Sequence, residues 1–143
     1  MFLDSKALFS DAQALTASAA STNIIDLGAD GNLGIGEPMA AVVTLDVAAD
    51  NTTGDETYTV SLQTEDIEAF TTAVTIGSNT IAAGSAAGSK VVIPVPADTN
   101  CDRYIRLYYT LGGTTPTATI TAFLVPMSMI QNDVVYPDNI TIS

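Results

Sequence analysis

Strict alternation of apolar and polar residues marks two segments of this chain. Residues 57–63 read TYTVSLQ, and residues 104–111 read YIRLYYTL. A period of two is typical of a β-strand with one buried face, whereas a helix repeats every 3.6 residues. No part of the sequence sustains the helical period over a long stretch. The alternation therefore predicts an all-β protein.

Turn-forming residues divide the rest of the chain into similar short segments. The clearest connection holds Gly112, Gly113 and Pro116, which predict a hairpin. About eight short antiparallel strands at this spacing fit a sandwich, a barrel or a jelly roll, and we expect a single-domain jelly-roll/β-sandwich. Strand order does not follow from the sequence. The predicted strands are a segment after residue 12 and residues 22–27, 39–47, 57–63, 70–76, 90–95, 104–111 and 117–125.

Extended arms are predicted at both ends of a β domain that covers residues 13–125. Residues 1–20 fit either a short helix or an extended segment. We favour an arm over residues 1–12 and then a strand, because Ser and Thr resist helix. Residues 126–143 are predicted to be a C-terminal tail. We expect apolar residues of both ends to lie across a partner protein, namely Phe2, Leu3, Leu8 and Phe9 in the arm and Met127, Met129, Ile130, Val134, Val135 and Tyr136 in the tail.

The net charge excludes two classes of partner. Sixteen acidic residues face four basic ones, which gives a formal charge of −12. A polyanion repels the phosphates of nucleic acids and anionic membranes, and the chain has no basic stripe. It also lacks a secretory leader pattern and any apolar run of the roughly 20 residues that a membrane helix needs. We expect synthesis in a reducing cytoplasm.

Catalytic chemistry has few candidate residues here. Histidine is absent, and Cys101 is the single cysteine, so the common Ser-His and Cys-His pairs are excluded. Ser89 and Lys90 are adjacent, which on a strand points them to opposite faces. We predict a partly buried thiol at Cys101, no enzyme activity and no cofactor.

Acidic residues gather in three places without the spacing of a calcium loop. The residues are Asp26 and Asp30 in the first group, Asp46, Asp50, Asp55 and Glu56 in the second, and Glu65, Asp66 and Glu68 in the third. We interpret these carboxylates as solvated surface groups and predict no metal site.

An aromatic and cationic patch is predicted on one face of the strand at 104–111. Alternation places Tyr104, Arg106 and Tyr108 together on its polar side. Tyr and Arg are enriched at the energetic centres of protein interfaces. The patch is either an interface anchor or ordinary decoration of a sheet.

Three further stretches carry a family resemblance. They are MFLD with FSDAQ at the start, STNIIDLG at residues 21–28, and RYIRLYY at residues 103–109 leading into GGT. In these the chain resembles the jelly-roll capsid cement (decoration) proteins of short-tailed double-stranded DNA phages, the family typified by the Bordetella phage cement protein. The resemblance implies a jelly roll on the capsid exterior, contacts with the major capsid protein, and self-association as a homodimer or homotrimer.

The expected function is therefore that of a structural virion protein that stabilises a capsid lattice. A carbohydrate- or receptor-binding jelly-roll module of a phage fibre is the alternative, although the chain has no Trp and few aromatic residues for a sugar platform. A hydrolase that uses paired carboxylates is a third hypothesis, and it requires a deep pocket holding two acids.

Overall fold

A computed structural model describes residues 7–28, 31–32, 39–95 and 100–126. The described residues form eleven β-strands and no α-helix. Accordingly, none of them belongs to a helix long and apolar enough to cross a membrane. The strands are β1 (Leu8–Leu15), β2 (Ala19–Ala20), β3 (Ile25–Asp26), β4 (Gly31–Asn32), β5 (Met39–Val47), β6 (Thr57–Glu65), β7 (Val74–Ile81), β8 (Lys90–Pro94), β9 (Asn100–Cys101), β10 (Tyr104–Gly112) and β11 (Ala118–Pro126).

Two antiparallel sheets make up the fold. The β11 sheet has the order β1-β11-β5-β8, and the β10 sheet has the order β2-β10-β6-β7 with β3 also paired to β10. A small ladder joins β4 to β9. The prediction of an all-β sandwich is confirmed.

Strand order identifies the jelly roll. Because β2 and β3 both pair with β10, we treat them as two parts of one strand, and we do not count the β4–β9 ladder. Eight strands then remain, and the first pairs with the last, the second with the seventh, the third with the sixth and the fourth with the fifth. A two-stranded ribbon folded over itself gives this nested order, which defines the jelly roll among double-sheet folds.

The core lies between the two sheets and follows the alternation read from the sequence. β10 contributes Ile105, Leu107 and Tyr109, each at most 1 % exposed, and β6 contributes Tyr58, Val60 and Leu62. The β11 sheet faces them with Val43, Leu45, Ile120, Leu124 and Ile93. Cys101 is fully buried in the same core, which is more complete than the partial burial that we predict from the sequence.

The two ends of the sandwich differ. We call the end formed by the connections 16–18, 48–56, 82–89 and 113–117 the turn end, and the opposite end the open end. Backbone hydrogen bonds link the connections of the turn end, from Ala49 N to Ser85 O and from Asp50 N to Thr117 O, each 3.0 Å long. At the open end, β1 begins, β11 ends and the 66–73 connection turns.

Three sequence predictions need correction. β1 begins at Leu8, so residues 8–12 belong to the sandwich and not to an arm, because they pair with β11. The segment 22–27 forms only the two-residue β3, and residues 70–73 precede β7. Phe70 has a φ of 51°, which a strand does not accommodate.

Candidate protein interface

Tyr104, Arg106 and Tyr108 lie side by side on the outer face of the β10 sheet. Each is half-buried, while the residues between them point into the core. Their partners on β6 are Glu65, Gln63 and Ser61. The structure therefore brings the three predicted residues together on one outward face. We call them, together with Phe70, the aromatic patch.

Arg106 is held at the centre of the aromatic patch. Its Nε donates a hydrogen bond of 2.9 Å to Oε1 of Gln63 on the neighbouring strand. Its guanidinium carbon lies 4.3 Å from the ring centroid of Phe70 and 5.5 Å from that of Tyr108, within the range of cation–π attraction. Partial burial lowers the pKa of Arg106 from its ordinary value. The patch thus presents a positive charge that is pre-positioned between two rings.

Phe70 is the member of the patch that sequence reasoning missed. It lies in the 66–73 connection, which leaves β6 at the open end, and it is only 7 % exposed. The buried carboxylate of Glu65 organises this connection. It accepts hydrogen bonds from the Thr72 amide at 2.8 Å, from the Thr72 hydroxyl and from the Asp66 amide at 2.9 Å. The Thr72 hydroxyl is the main cause of the lowered pKa of Glu65.

A bidentate ion pair borders the patch. Arg103 donates to both carboxylate oxygens of Asp26, from Nε at 2.8 Å and from Nη2 at 3.0 Å. The Arg103 hydrogen bond, and next the Gly28 amide, lower the pKa of Asp26 to about 2. The Arg103 guanidinium also lies 5.1 Å from the Tyr104 ring centroid. This pair anchors the short strand β3 beside β10.

Two carboxylates are more buried than the prediction of solvated surface groups implies. Glu65 and Glu56 are buried, at 6 % and 5 % exposure, and that prediction is wrong for both. Oxygens of Glu65, Asp66 and Asp102 lie within 4.8 Å of one another, a spacing that could hold a cation. Both oxygens of Glu65, however, already accept hydrogen bonds from its own connection. We assign Glu65 to shaping that connection.

The apolar residues predicted to contact a partner from the two ends of the chain lie in different positions. Phe9 is fully buried in the core, so the prediction that it lies across a partner is wrong. Adjacent residues of a strand point to opposite faces, so Phe9 turns inward while Leu8 stays outside. Leu8 is half-buried on the outer face of the β11 sheet. Phe2, Leu3, Met127, Met129 and Tyr136 lie outside the described residues.

An apolar band crosses that outer face, and sequence reasoning missed it. Leu8 pairs with Phe123, Phe123 with Val42, and Val42 with Val92, so one row runs across all four strands. Val125 adjoins Phe123 on the same face. These five residues form an apolar cluster separate from the core, which we call the apolar row.

Comparison with known protein families gives a match that spans most of the chain. The family model Bbp16 matches residues 9–124. No curated protein matches. Among solved structures, the CBM22-1–GH10 modules of xylanase 10B from Clostridium thermocellum, complexed with xylohexaose, align with 19 % identity and a TM-score of 0.37. The alignment covers 77 % of this chain but 20 % of that one.

The family match extends from β1 to β11 and so includes both sheets, the aromatic patch and three of the five residues of the apolar row, Val42, Val92 and Phe123. The family's name suggests a protein of a Bordetella phage. This chain belongs to the Bbp16 family of phage proteins.

Proposed function

We propose that this protein is a capsid cement protein, which binds the outside of a tailed-phage capsid and stabilises the lattice of the major capsid protein. The observation that carries the proposal is the Bbp16 family match across residues 9–124. The jelly-roll sandwich supports it, because two packed sheets give a rigid body that can bridge neighbouring subunits. In this role the protein is a structural part of the virion and forms a homodimer or homotrimer.

The aromatic patch is the proposed contact surface on the body of the protein. Arg106 lies between Phe70 and Tyr108 and is held by Gln63. A side chain that is already positioned loses little rotamer freedom on binding. Tyr and Arg side chains of this kind dominate the energetics of many interfaces. A carboxylate of the capsid protein would complement the charge of Arg106.

The open end is the proposed source of the remaining contacts. Residues 1–6 lead into β1 at this end, and residues 127–143 continue from Pro126. Phe2 and Leu3 in particular offer apolar side chains to a neighbouring subunit. Repetition of such contacts over a capsid lattice converts weak individual binding into high avidity. The charge of −12 keeps an abundant protein soluble before assembly.

A binding role without catalysis fits the chemistry of the described residues. Glu56 and Glu65 accept hydrogen bonds from their own loops, and Asp26 is neutralised by Arg103. The lowered pKa values of these groups keep them ionised at neutral pH. A pair that hydrolyses glycosides would need one carboxyl group with a raised pKa to act as the acid. We propose no enzyme activity, no cofactor and no nucleic-acid or membrane partner.

Co-sedimentation with phage shells tests the proposal. Purified protein is mixed with expanded shells of the parent phage that lack it, and with shells that already carry it as the control. We expect saturable binding at a fixed ratio to the major capsid protein and a higher temperature of shell disruption. Shells that neither bind the protein nor gain heat resistance would reject the cement role. Retention on a glycan array instead would favour the receptor-binding alternative.

A further inference from the structure

The apolar row is buried although it lies on the outside of the sandwich. Val42, Val125 and Phe123 are 2 %, 4 % and 5 % exposed. Neighbouring strands cover only the flanks of such side chains, because side chains stand roughly perpendicular to a sheet. Burial this complete requires further atoms above the face.

The burial is confined to the open end of the sheet. Along the outer face of β5, Ala40 and Val42 are buried, Thr44 is half-buried and Asp46 is exposed. On β11, Val125 and Phe123 are buried, whereas Thr121 and Thr119 are half-buried. The covering layer therefore lies over the half of the sheet from which β11 leaves.

We propose that the C-terminal tail of the same chain is this layer, with residues 127–136 lying across the apolar row. The tail starts directly after Pro126, about 10 Å from Phe123 at the usual rise along a strand. The row crosses four strands and is therefore about 14 Å long, whereas ten extended residues span up to about 33 Å. The tail is therefore long enough to cross the row.

The composition of the tail matches the surface that it would cover. Six apolar side chains occur within its first ten residues: Met127, Met129, Ile130, Val134, Val135 and Tyr136. Methionine fills irregular apolar surfaces well, because its side chain is unbranched and flexible. The N-terminal segment, which joins β1 beside Leu8, offers Phe2 and Leu3 as its largest apolar side chains. Because the tail is covalently attached, its effective concentration at the apolar row exceeds that of a second copy of the protein.

The proposal stands independently of the cement role. It assigns Met127 and Met129 to an intramolecular contact in the unattached protein. Without the tail, the apolar row would be a continuous exposed strip across four strands, which monomeric proteins rarely leave open. The tail would thus keep the strip covered.

Disulfide trapping in the full-length protein tests the position of the tail. Val92→Cys, at the accessible edge of the row, is combined in turn with Met127→Cys, Met129→Cys and Ile130→Cys. We expect an intramolecular disulfide in at least one pair under mild oxidation. The matched control is Val47→Cys with Ile130→Cys, since Val47 is 57 % exposed at the turn end of β5. It should give no intramolecular disulfide.

Three results would overturn the proposal. One is a covalent dimer in place of the internal disulfide, which would indicate a second copy on the row. Another is trapping of Leu3→Cys by Val92→Cys while all three tail positions fail, which would indicate the N-terminal segment. The third is no trapping anywhere. A second measurement is the binding of an apolar dye, which should rise several-fold on deletion of residues 127–143 but not of residues 137–143. An equal response to both deletions would also contradict the proposal.

Discussion

The hydroxyl groups of Tyr109 and Ser10 lie 2.7 Å apart inside the sandwich, although 99 positions separate the two residues in sequence. Tyr109 belongs to β10 and Ser10 to β1, so the contact joins the two sheets. Ser10 donates its own proton to Oε1 of Gln13, also at 2.7 Å. Tyr109 must therefore donate to Ser10. The buried hydroxyls thus form a chain of hydrogen bonds that runs from Tyr109 through Ser10 to the side-chain amide of Gln13.

Removal of the Tyr109 hydroxyl should destabilise the fold modestly. Tyr109→Phe keeps the ring in the core but leaves Ser10 without its donor. We expect a loss of about 1 kcal/mol in the free energy of unfolding, measured by urea denaturation. The matched control is Tyr108→Phe, whose hydroxyl lies on the outer face and should change stability by less than about 0.5 kcal/mol. Equal losses in the two variants would contradict the assignment.

Tyr109 should also limit stability at high pH. Burial raises the pKa of its hydroxyl well above the ordinary value of 10.0. The unfolded chain therefore releases this proton first. The stabilisation is present below pH 10 and is lost as the pH rises toward the raised pKa of the folded state. In an alkaline titration, the phenolate absorbance of Tyr109 should develop together with unfolding, and Tyr109→Phe should remove one tyrosine from that step. An unfolding step of unchanged amplitude would contradict this expectation.

Glu56 should make the fold sensitive to acid. A hydrogen bond from the Thr53 hydroxyl is the main cause that lowers its pKa from 4.5 to about 2, and the amides of Thr53 and Gly54 add to it. The resulting stabilisation is present above pH 4.5 and is lost as the pH falls through about 2. We expect Glu56→Gln to lower the urea midpoint at pH 7 and to flatten its decline between pH 4.5 and 2. Asp11→Asn, at an exposed position of β1, is the control and should follow the wild-type curve.

Gly113 should be intolerant of a side chain. Its φ is 91°, and an added Cβ would lie 2.3 Å from the carbonyl oxygen of Asp55. Gly113→Ala should therefore destabilise the protein by more than about 2 kcal/mol, since both backbone strain and a clash contribute. At Gly28 the φ of 84° is similar, but an added Cβ meets nothing within 4 Å. Gly28→Ala should cost about 1 kcal/mol. Thermal unfolding of both variants separates the clash from the strain, and equal shifts would argue against the clash.

Arg106 should matter for binding more than for folding. Arg106→Glu reverses the charge at the centre of the aromatic patch, and we expect at least a tenfold loss of affinity for shells, about 1.4 kcal/mol. Lys90→Glu is the matched control, because Lys90 is an exposed cation on β8 in the other sheet. The affinity is measured by shell titration, and circular dichroism verifies the fold. A similar loss in both variants would indicate a general charge effect instead of a specific contact.

Local alternation was sufficient to predict the central strands. The predicted segments 57–63 and 104–111 differ from β6 and β10 by two residues and one residue at their ends. The predicted strand over residues 70–76 includes Phe70, which in the structure lies in the connection before β7. Its true position depends on Glu65 and Thr72, whose contact forms only after the chain has turned. Periodicity carries no information about such a contact.

The candidate interface was only partly predictable for the same reason. Tyr104, Arg106 and Tyr108 share a face because alternate residues of a strand do so. The ring of Phe70 comes from a different element, and the pairing of Arg103 with Asp26 joins residues 77 positions apart. The apolar row did leave a signal in the sequence. Residues 122–125 read AFLV, and such an unbroken apolar run indicates a strand covered on both faces.

The hydrogen bonds of the turn end have a practical consequence. Its connections are fixed to one another by hydrogen bonds, and the 82–89 connection contains the exposed residues Ala86 and Ala87. Strands of about nine residues hold this end about 30 Å from the open end. If the open end faces the shell, a peptide grafted into the 82–89 connection would project into the medium around the particle. The domain would then serve as a scaffold that displays foreign epitopes or ligands in a dense array on the capsid.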